Sequence, residues 1–382
     1  MQRLCKDNLK KQLESTISAD VKSGRVGNVA VSVSQDETIL YEGYFDDEKM
    51  GMHVSEHTLF RMASMTKPIT AMAILKLADY GELELDMPVS EFIPEFETMN
   101  IGRLCGDQVE ILYPAKKKIT IRHLLTHSSG LGSGPLGIHI YYTLPPSKRK
   151  SLAEVTAYYA KSPLEFEPGS SQCYSGIHGF DVLARVAELA AGESFSSFLE
   201  KEIFLPIGME DTTFSPTEEQ LERVVPMHTF EGGIGKRVEF PSGSLFEGIP
   251  FTCQCGAAGL ASSLSDYKKF AAVLMHNGHT GRQQLISEKM IREMTTPQLS
   301  AEIMEGSQRW GLGVRVIVND QNVLPQGSYG WSGAYGTHFW VDPVNRITAI
   351  YLKNSRYDGG DGAKTAREFE RDVYRSLVEY RR

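Results

Sequence analysis

Residues 64–80 read Ser-Met-Thr-Lys-Pro-Ile-Thr-Ala-Met-Ala-Ile-Leu-Lys-Leu-Ala-Asp-Tyr, and Gly81 follows. At a helical period Ile69, Met72, Ala73 and Leu77 share one face, while Ile74, Leu75 and Ala78 make most of the remaining surface apolar. A helix apolar nearly all round has to be enclosed on every side. The rest of the chain must therefore supply a wrapping, and 382 residues are enough for a sizeable core.

The wrapping comes from segments far apart in sequence. The first twenty residues read as an amphipathic helix with Leu4, Leu9, Leu13 and Ile17 on one face, followed by strands at 28–34 and 38–44 joined by Gln35-Asp36-Glu37. From about 85 to 300 the pattern predicts helices near 121–126, 152–161, 177–191, 195–204, 264–276 and 287–294, with long loops and few strands. Strand character returns at 311–318, 336–341 and 347–352, ahead of a helix over about 362–380. This distribution predicts an α+β fold: an antiparallel sheet built from both chain ends, flanked by the terminal helices, with a mainly helical domain inserted. We expect one catalytic unit, with an α/β lobe of approximately 1–84 plus 300–382, a helical lobe of approximately 85–299 and a site between them.

Composition narrows the function classes. The 40 basic and 48 acidic residues give a formal charge of -8, against the basic footprint of a nucleic-acid binder. No apolar run approaches the length of a membrane span, the first residues are charged rather than signal-like, and five cysteines are too few and too odd in number for a disulfide scaffold. A cytoplasmic protein is expected, and the sequence is silent on oligomeric state.

The chemistry-bearing segment is Phe60-Arg61-Met62-Ala63-Ser64-Met65-Thr66-Lys67-Pro68. Ser64 is expected as the N-cap of the enclosed helix, with Lys67 one turn on along the same face and Pro68 tolerated in the first turn. A Ser with a nearby Lys is a recognised activated nucleophile, although Ser-x-x-Lys by itself also describes a plain helix cap beside a surface charge. Two more segments accompany it. In 167–176 a Pro168-Gly169 turn leads to Tyr174 at the mouth of another helix, and 330–343 form a Gly-rich edge strand that a ligand can approach closely.

With these three motifs in this order, the chain resembles the serine β-lactamase and penicillin-binding-protein-like superfamily, in particular class C β-lactamase-like hydrolases and family VIII carboxylesterases. The stretches Leu124-Leu125-Thr126-His127-Ser128-Ser129-Gly130-Leu131 and Gly256-Ala257-Ala258-Gly259-Leu260, with Asp266-Tyr267 after it, extend the likeness over most of the chain. The resemblance implies Ser64 as nucleophile, Lys67 and Tyr174 sharing general-base and general-acid work, and an oxyanion hole from the backbone N–H groups of Ser64 and Ala334. It implies substrate contacts at Trp331, Ser332 and Gly333, a small-molecule ester or amide substrate, and neither cofactor nor metal.

Two departures direct the substrate expectation. Tyr174-Ser175-Gly176 replaces the usual Tyr-x-Asn, and Trp331-Ser332-Gly333 replaces a Lys-Thr-Gly or His-x-Gly, removing the edge-strand cation that would pair with a substrate carboxylate. An esterase with Trp331 as an aromatic wall is therefore expected. The alternatives are a β-lactamase or D-amino-acid peptide hydrolase, and a catalytically weak binding protein. Were a cation to serve the site, Arg309, Lys353 and Arg356 flank the terminal strands. Among other patterns, His53-Val54-Ser55-Glu56-His57 spells an inverted zinc motif without the helix that would space it. Gly330-Trp331-Ser332-Gly333-Ala334 is close to a nucleophile elbow but continues as strand, and Cys253 and Cys255 lack a metal-pair spacer.

Overall fold

The computed structural model describes residues 2–238 and 253–378. Its centre is a seven-stranded antiparallel sheet made of β1 (Val29–Gln35), β2 (Thr38–Phe45), β3 (Gln308–Trp310), β4 (Arg315–Ile317), β5 (Tyr329–Ser332), β6 (His338–Asp342) and β7 (Ile347–Lys353), in the order β3-β4-β5-β6-β7-β1-β2. The two chain ends meet where β7 pairs with β1 over Ile347↔Gln35 to Lys353↔Val29. Alternation assigns the faces. Val29, Val31 and Val33 join Trp340, Ala349 and Tyr351 beneath α1 (Lys6–Lys22) and α5 (Lys364–Arg375), whereas Ala30, Phe339, Ile350 and Leu352 belong to the larger core on the other face. Both faces are covered, so β1 is buried almost throughout.

The larger core encloses α2 (Thr66–Tyr80), which touches α3 (His178–Ala191). Every residue of α2 from Thr66 to Leu77 is buried, and Gly81 at φ 82° closes the helix in the left-handed conformation that a Cβ disfavours. The predicted helices near 121, 152, 177, 195, 264 and 287 form, the fifth as α4 (Leu264–Met275), and the one at 195 passes into a π-turn over Glu200–Phe204.

Several expectations are corrected. The region 85–300 is not poor in strands: Asn100–Cys105 pairs with Gln108–Pro114, Met227–Glu231 with Ile234–Val238, and Ala261–Ser263 with Leu59–Arg61. Gln108–Pro114 is exposed on both faces, so it never had to alternate apolar with polar residues. A helix that the pattern did not predict forms at Gly134–Thr143, between the predicted ones near 121 and 152, and residues 239–252 lie outside the described residues. The terminal helix ends at Arg375 rather than near 380. Leu377–Val378 turns back to pair with Arg3–Leu4, and the remainder lies outside the described residues. No described helix is long and apolar enough to cross a membrane.

Candidate active site

Between Thr58 and Leu77 every residue is buried except Ser64, which is half-buried. The chain reaches it along the short strand Leu59–Arg61, turns at Ala63 with φ 47°, and passes through a 3-10 turn, Ala63–Met65, into α2. A positive φ at a residue bearing a Cβ is costly and persists only where the surroundings enforce it. The enforcement is visible. Thr337 Oγ1 donates to the Met62 carbonyl at 2.9 Å, Tyr267 Oη donates to the Met65 carbonyl at 2.9 Å, and Asn354 brackets Arg61 with bonds to its N–H and its carbonyl. Ser64 is therefore not the N-cap that the sequence predicts: its hydroxyl caps no helix and faces two other side chains.

Those side chains are Lys67 and Tyr174. Tyr174 Oη lies 2.8 Å and Lys67 Nζ 3.3 Å from Ser64 Oγ. Lys67 is fully buried, and its Nζ also donates to the carbonyls of Gly176 at 2.6 Å and Ala257 at 3.0 Å. Gly176, where the related motif carries an amide, thus contributes through its backbone.

Aromatic rings hold Tyr174 in place. Trp310 stacks on it at 5.9 Å and 13°, Trp331 approaches at 5.3 Å and its Nε1 donates to Tyr174 Oη at 3.4 Å, and His127 lies 4.6 Å away on another side. His127 is fully buried. Burial, reinforced by the Lys67 charge, pushes its pKa well below the usual histidine range, so it packs as a neutral ring whose Nδ1 accepts the Ser175 N–H at 3.1 Å.

Ser64, Tyr174, Trp310, Trp331 and Ala334 line one cleft of about 360 Å³. The strand carrying Trp331 and Ser332 is not the edge strand that the sequence predicts: β5 pairs with β4 on one side and β6 on the other. Gly333, just after it, packs against the turn before Ser64: a Cβ there would lie 2.2 Å from Thr337 Oγ1 and 2.4 Å from the Met62 carbonyl oxygen, a space that only glycine fits. Ser332 borders the cleft, but its hydroxyl is 2.8 Å from His338 Nδ1, whose Nε2 is 3.0 Å from Glu370 Oε1. This buried Ser-His-Glu chain ties β5 through β6 to α5. It gives the near-elbow sequence around Ser332 a bracing role.

Among the cleft residues, sequence reasoning missed Trp310, Arg315 and Asp361, and it gave no role to the buried His127 that packs against Tyr174. Arg315 matters most, because it places a cation in the cleft wall that Trp331-Ser332-Gly333 does not supply. Its signal was present: it is the only charged residue between Gly311 and Val318, in a strand that reads as buried, and a buried charge requires a partner. Two of the three cations named from sequence are engaged elsewhere. Arg309 donates to the carbonyls of Gly306 and Gln308, and Lys353 is buried 3.4 Å from Asp358. Of the histidines in the inverted zinc pattern, His53 pairs with Asp46 and His57 lies 3.4 Å from Asp211.

The family model described as Beta-lactamase matches residues 13–371. The chain is 30% identical over 388 residues to Esterase EstB of Burkholderia gladioli, an alignment covering 94% of this chain and 93% of that protein. Among solved structures, EstCE1, described as a hydrolase with promiscuous acyltransferase activity, aligns with a TM-score of 0.80 at 22% identity over 97% of this chain and 99% of its own. Simvastatin Synthase from Aspergillus terreus aligns with the same TM-score at 20% identity, covering 96% and 98%. At these identities the two structural likenesses speak for the fold.

Proposed function

The chain belongs to the Beta-lactamase family, and from there we propose that it is a serine hydrolase that cleaves carboxylic esters through an acyl-enzyme on Ser64. The observation that carries this reading is the half-buried Ser64 hydroxyl, held between Tyr174 Oη and Lys67 Nζ at the edge of an aromatic cleft.

In the first step Tyr174 enters as the phenolate beside the Lys67 ammonium: Ser64 Oγ attacks the ester carbonyl carbon while its proton passes to the Tyr174 oxygen, and the N–H groups of Ser64 and Ala334 hold the oxyanion. Collapse breaks the bond to the alcohol oxygen, which leaves with the proton that Tyr174 returns. Water repeats the sequence on the acyl-enzyme and releases the acid. Lys67, tied to two carbonyls, has its remaining position toward Ser64 and sets a positive charge beside the phenolate form of Tyr174; the Trp331 indole N–H donates to the same oxygen. Trp310 and Trp331 offer an apolar wall to the acyl or alcohol group. The esterase name of the Burkholderia relative supports the substrate class.

Arg315 favours the second reading, a β-lactamase or D-peptide hydrolase that grips a substrate carboxylate, but its guanidinium is already paired with Asp361. The test is direct. Neutral p-nitrophenyl butyrate is expected to be turned over with a kcat/KM at least about tenfold above that of anionic nitrocefin, and Ser64→Ala to lower ester turnover by about a thousandfold or more. A fluorophosphonate adduct should map to the peptide containing Ser64. Equal turnover of nitrocefin would give the assignment to the second reading, and an adduct on Ser332 would overturn both.

A further inference from the structure

Arg315 lies on β4 opposite Gly330 of β5, beside the tryptophan that walls the cleft. Its guanidinium carbon is 5.9 Å from the Trp331 ring centre, its side chain is only 9% exposed, and Nη1 donates to Asp361 Oδ1. Asp361 lines the same cleft from the loop between β7 and α5, with its side chain 41% exposed, so the carboxylate covers the cation from the solvent side. The loop is held in position: Gly360 and Gly362 on either side of Asp361 both have φ 80°, and the Gly360 N–H donates to the Gly333 carbonyl at 3.0 Å. Glu370 and Arg367 also stand around Arg315, and Glu370 is already bonded to His338.

We propose that Asp361 masks Arg315, leaving in the cleft a latent subsite for a carboxylate-bearing acyl group that becomes competent when the Asp361 carboxylate is removed. A buried guanidinium without a counter-charge is costly, and Asp361 removes that cost within the folded chain. A substrate carboxylate arriving at the cleft meets a cation whose bond is taken and, beside it, the negative charge that took it. Neutral esters meet neither obstacle. The mask deepens the esterase reading, on which it rests for its meaning, because it accounts for the selection of neutral esters in a cleft that does contain a cation. It makes acyl-group specificity a property of the loop residue Asp361 as much as of the interior strand β5.

The experiment compares p-nitrophenyl hemisuccinate with p-nitrophenyl butyrate, two four-carbon acyl esters that differ by a carboxylate. Equilibrium binding of both is measured by calorimetry in a Ser64→Ala background, where neither is consumed. Asp361→Asn is expected to shift the affinity ratio toward the hemisuccinate by at least about tenfold, equivalent to about 1.4 kcal/mol. Adding Arg315→Gln should return the ratio to its starting value. An unchanged ratio in Asp361→Asn overturns the proposal, as does a shifted ratio that persists without Arg315. Asp361→Ser is read in the same way should the asparagine variant not fold. Turnover of the butyrate by the protein with Ser64 intact is a separate arm: its absence would remove the esterase reading while the binding ratio still decides whether Asp361 masks Arg315.

Discussion

Gly333 and Ala63 are the two residues on which the site's closeness depends. Ala63 carries the positive φ that lifts Ser64 out of an otherwise buried run, and Gly333 lets β5 lie against the carbonyl of the residue before it. Gly333→Ala would force the methyl, Thr337 and the Met62 carbonyl apart, separating Ala334 from Ser64. A displacement of this size costs up to about a hundredfold in reactions that depend on alignment. We expect kcat/KM for p-nitrophenyl butyrate to fall at least about tenfold while circular dichroism reports a folded protein. Full activity in a folded Gly333→Ala protein would break the link between this contact and the chemistry. At this scale the meeting of Ser64 with Lys67 was legible because their spacing sets them one turn apart, and Tyr174 was expected beside them through the family resemblance. Trp310 and Arg315 were not, because an aromatic or an isolated charge in an apolar segment looks the same in sequence whether it faces a cleft or a core.

The helix that begins beside Ser64 was the most legible element, since enclosure on all sides leaves no other pattern. Its first turn was misread because the Ser64 hydroxyl turns to Lys67 and Tyr174 instead of capping the helix. The exposed hairpin at 100–114 was missed because exposure on both faces erases the alternation that betrays a strand. Helix α3 carries a different consequence. Its Asp181 is buried, and that burial pushes its pKa from the usual 3.8 up to about 6, against bonds from Cys255 and the Ala257 N–H that favour the anion. The folded chain thus keeps a proton that the unfolded chain has lost. This contribution is fully present below about pH 4 and is lost as pH rises through about 6, a span of about 3 kcal/mol at most. Asp181→Asn removes the titration, so urea-unfolding midpoints of the variant should decline less than those of the parent between pH 4 and 6.5. Parallel declines would show that Asp181 does not titrate as its burial implies.

For the whole molecule, the antiparallel sheet built from both ends was legible because strand patterns cluster at the two termini while helical periods fill the middle. The sheet's order and its short outer strands were not, because pairing between distant segments leaves no mark in either one. The terminal helices are part of this sheet's stability. Phe369 of α5 is 2% exposed and meets Trp340 at 5.3 Å and Tyr351 at 5.4 Å. Phe369→Ala should therefore cost about 3–5 kcal/mol. Denaturant titration checks the size, and a loss below about 1 kcal/mol would mean that α5 is dispensable to the sheet.

The pairing of β7 with β1 also fixes when such a chain can begin to act during its own synthesis. Ser64 leaves the ribosome early, but Trp310, Trp331 and Ala334 are translated only after most of the chain, at roughly 5–20 residues per second. Until β7 arrives to complete the register with β1, the strands β3 to β6 have no connection to β1 and β2 across the sheet. A chain that stops before β5 thus carries Ser64 without the Trp310–Trp331 wall and Ala334 that complete its cleft.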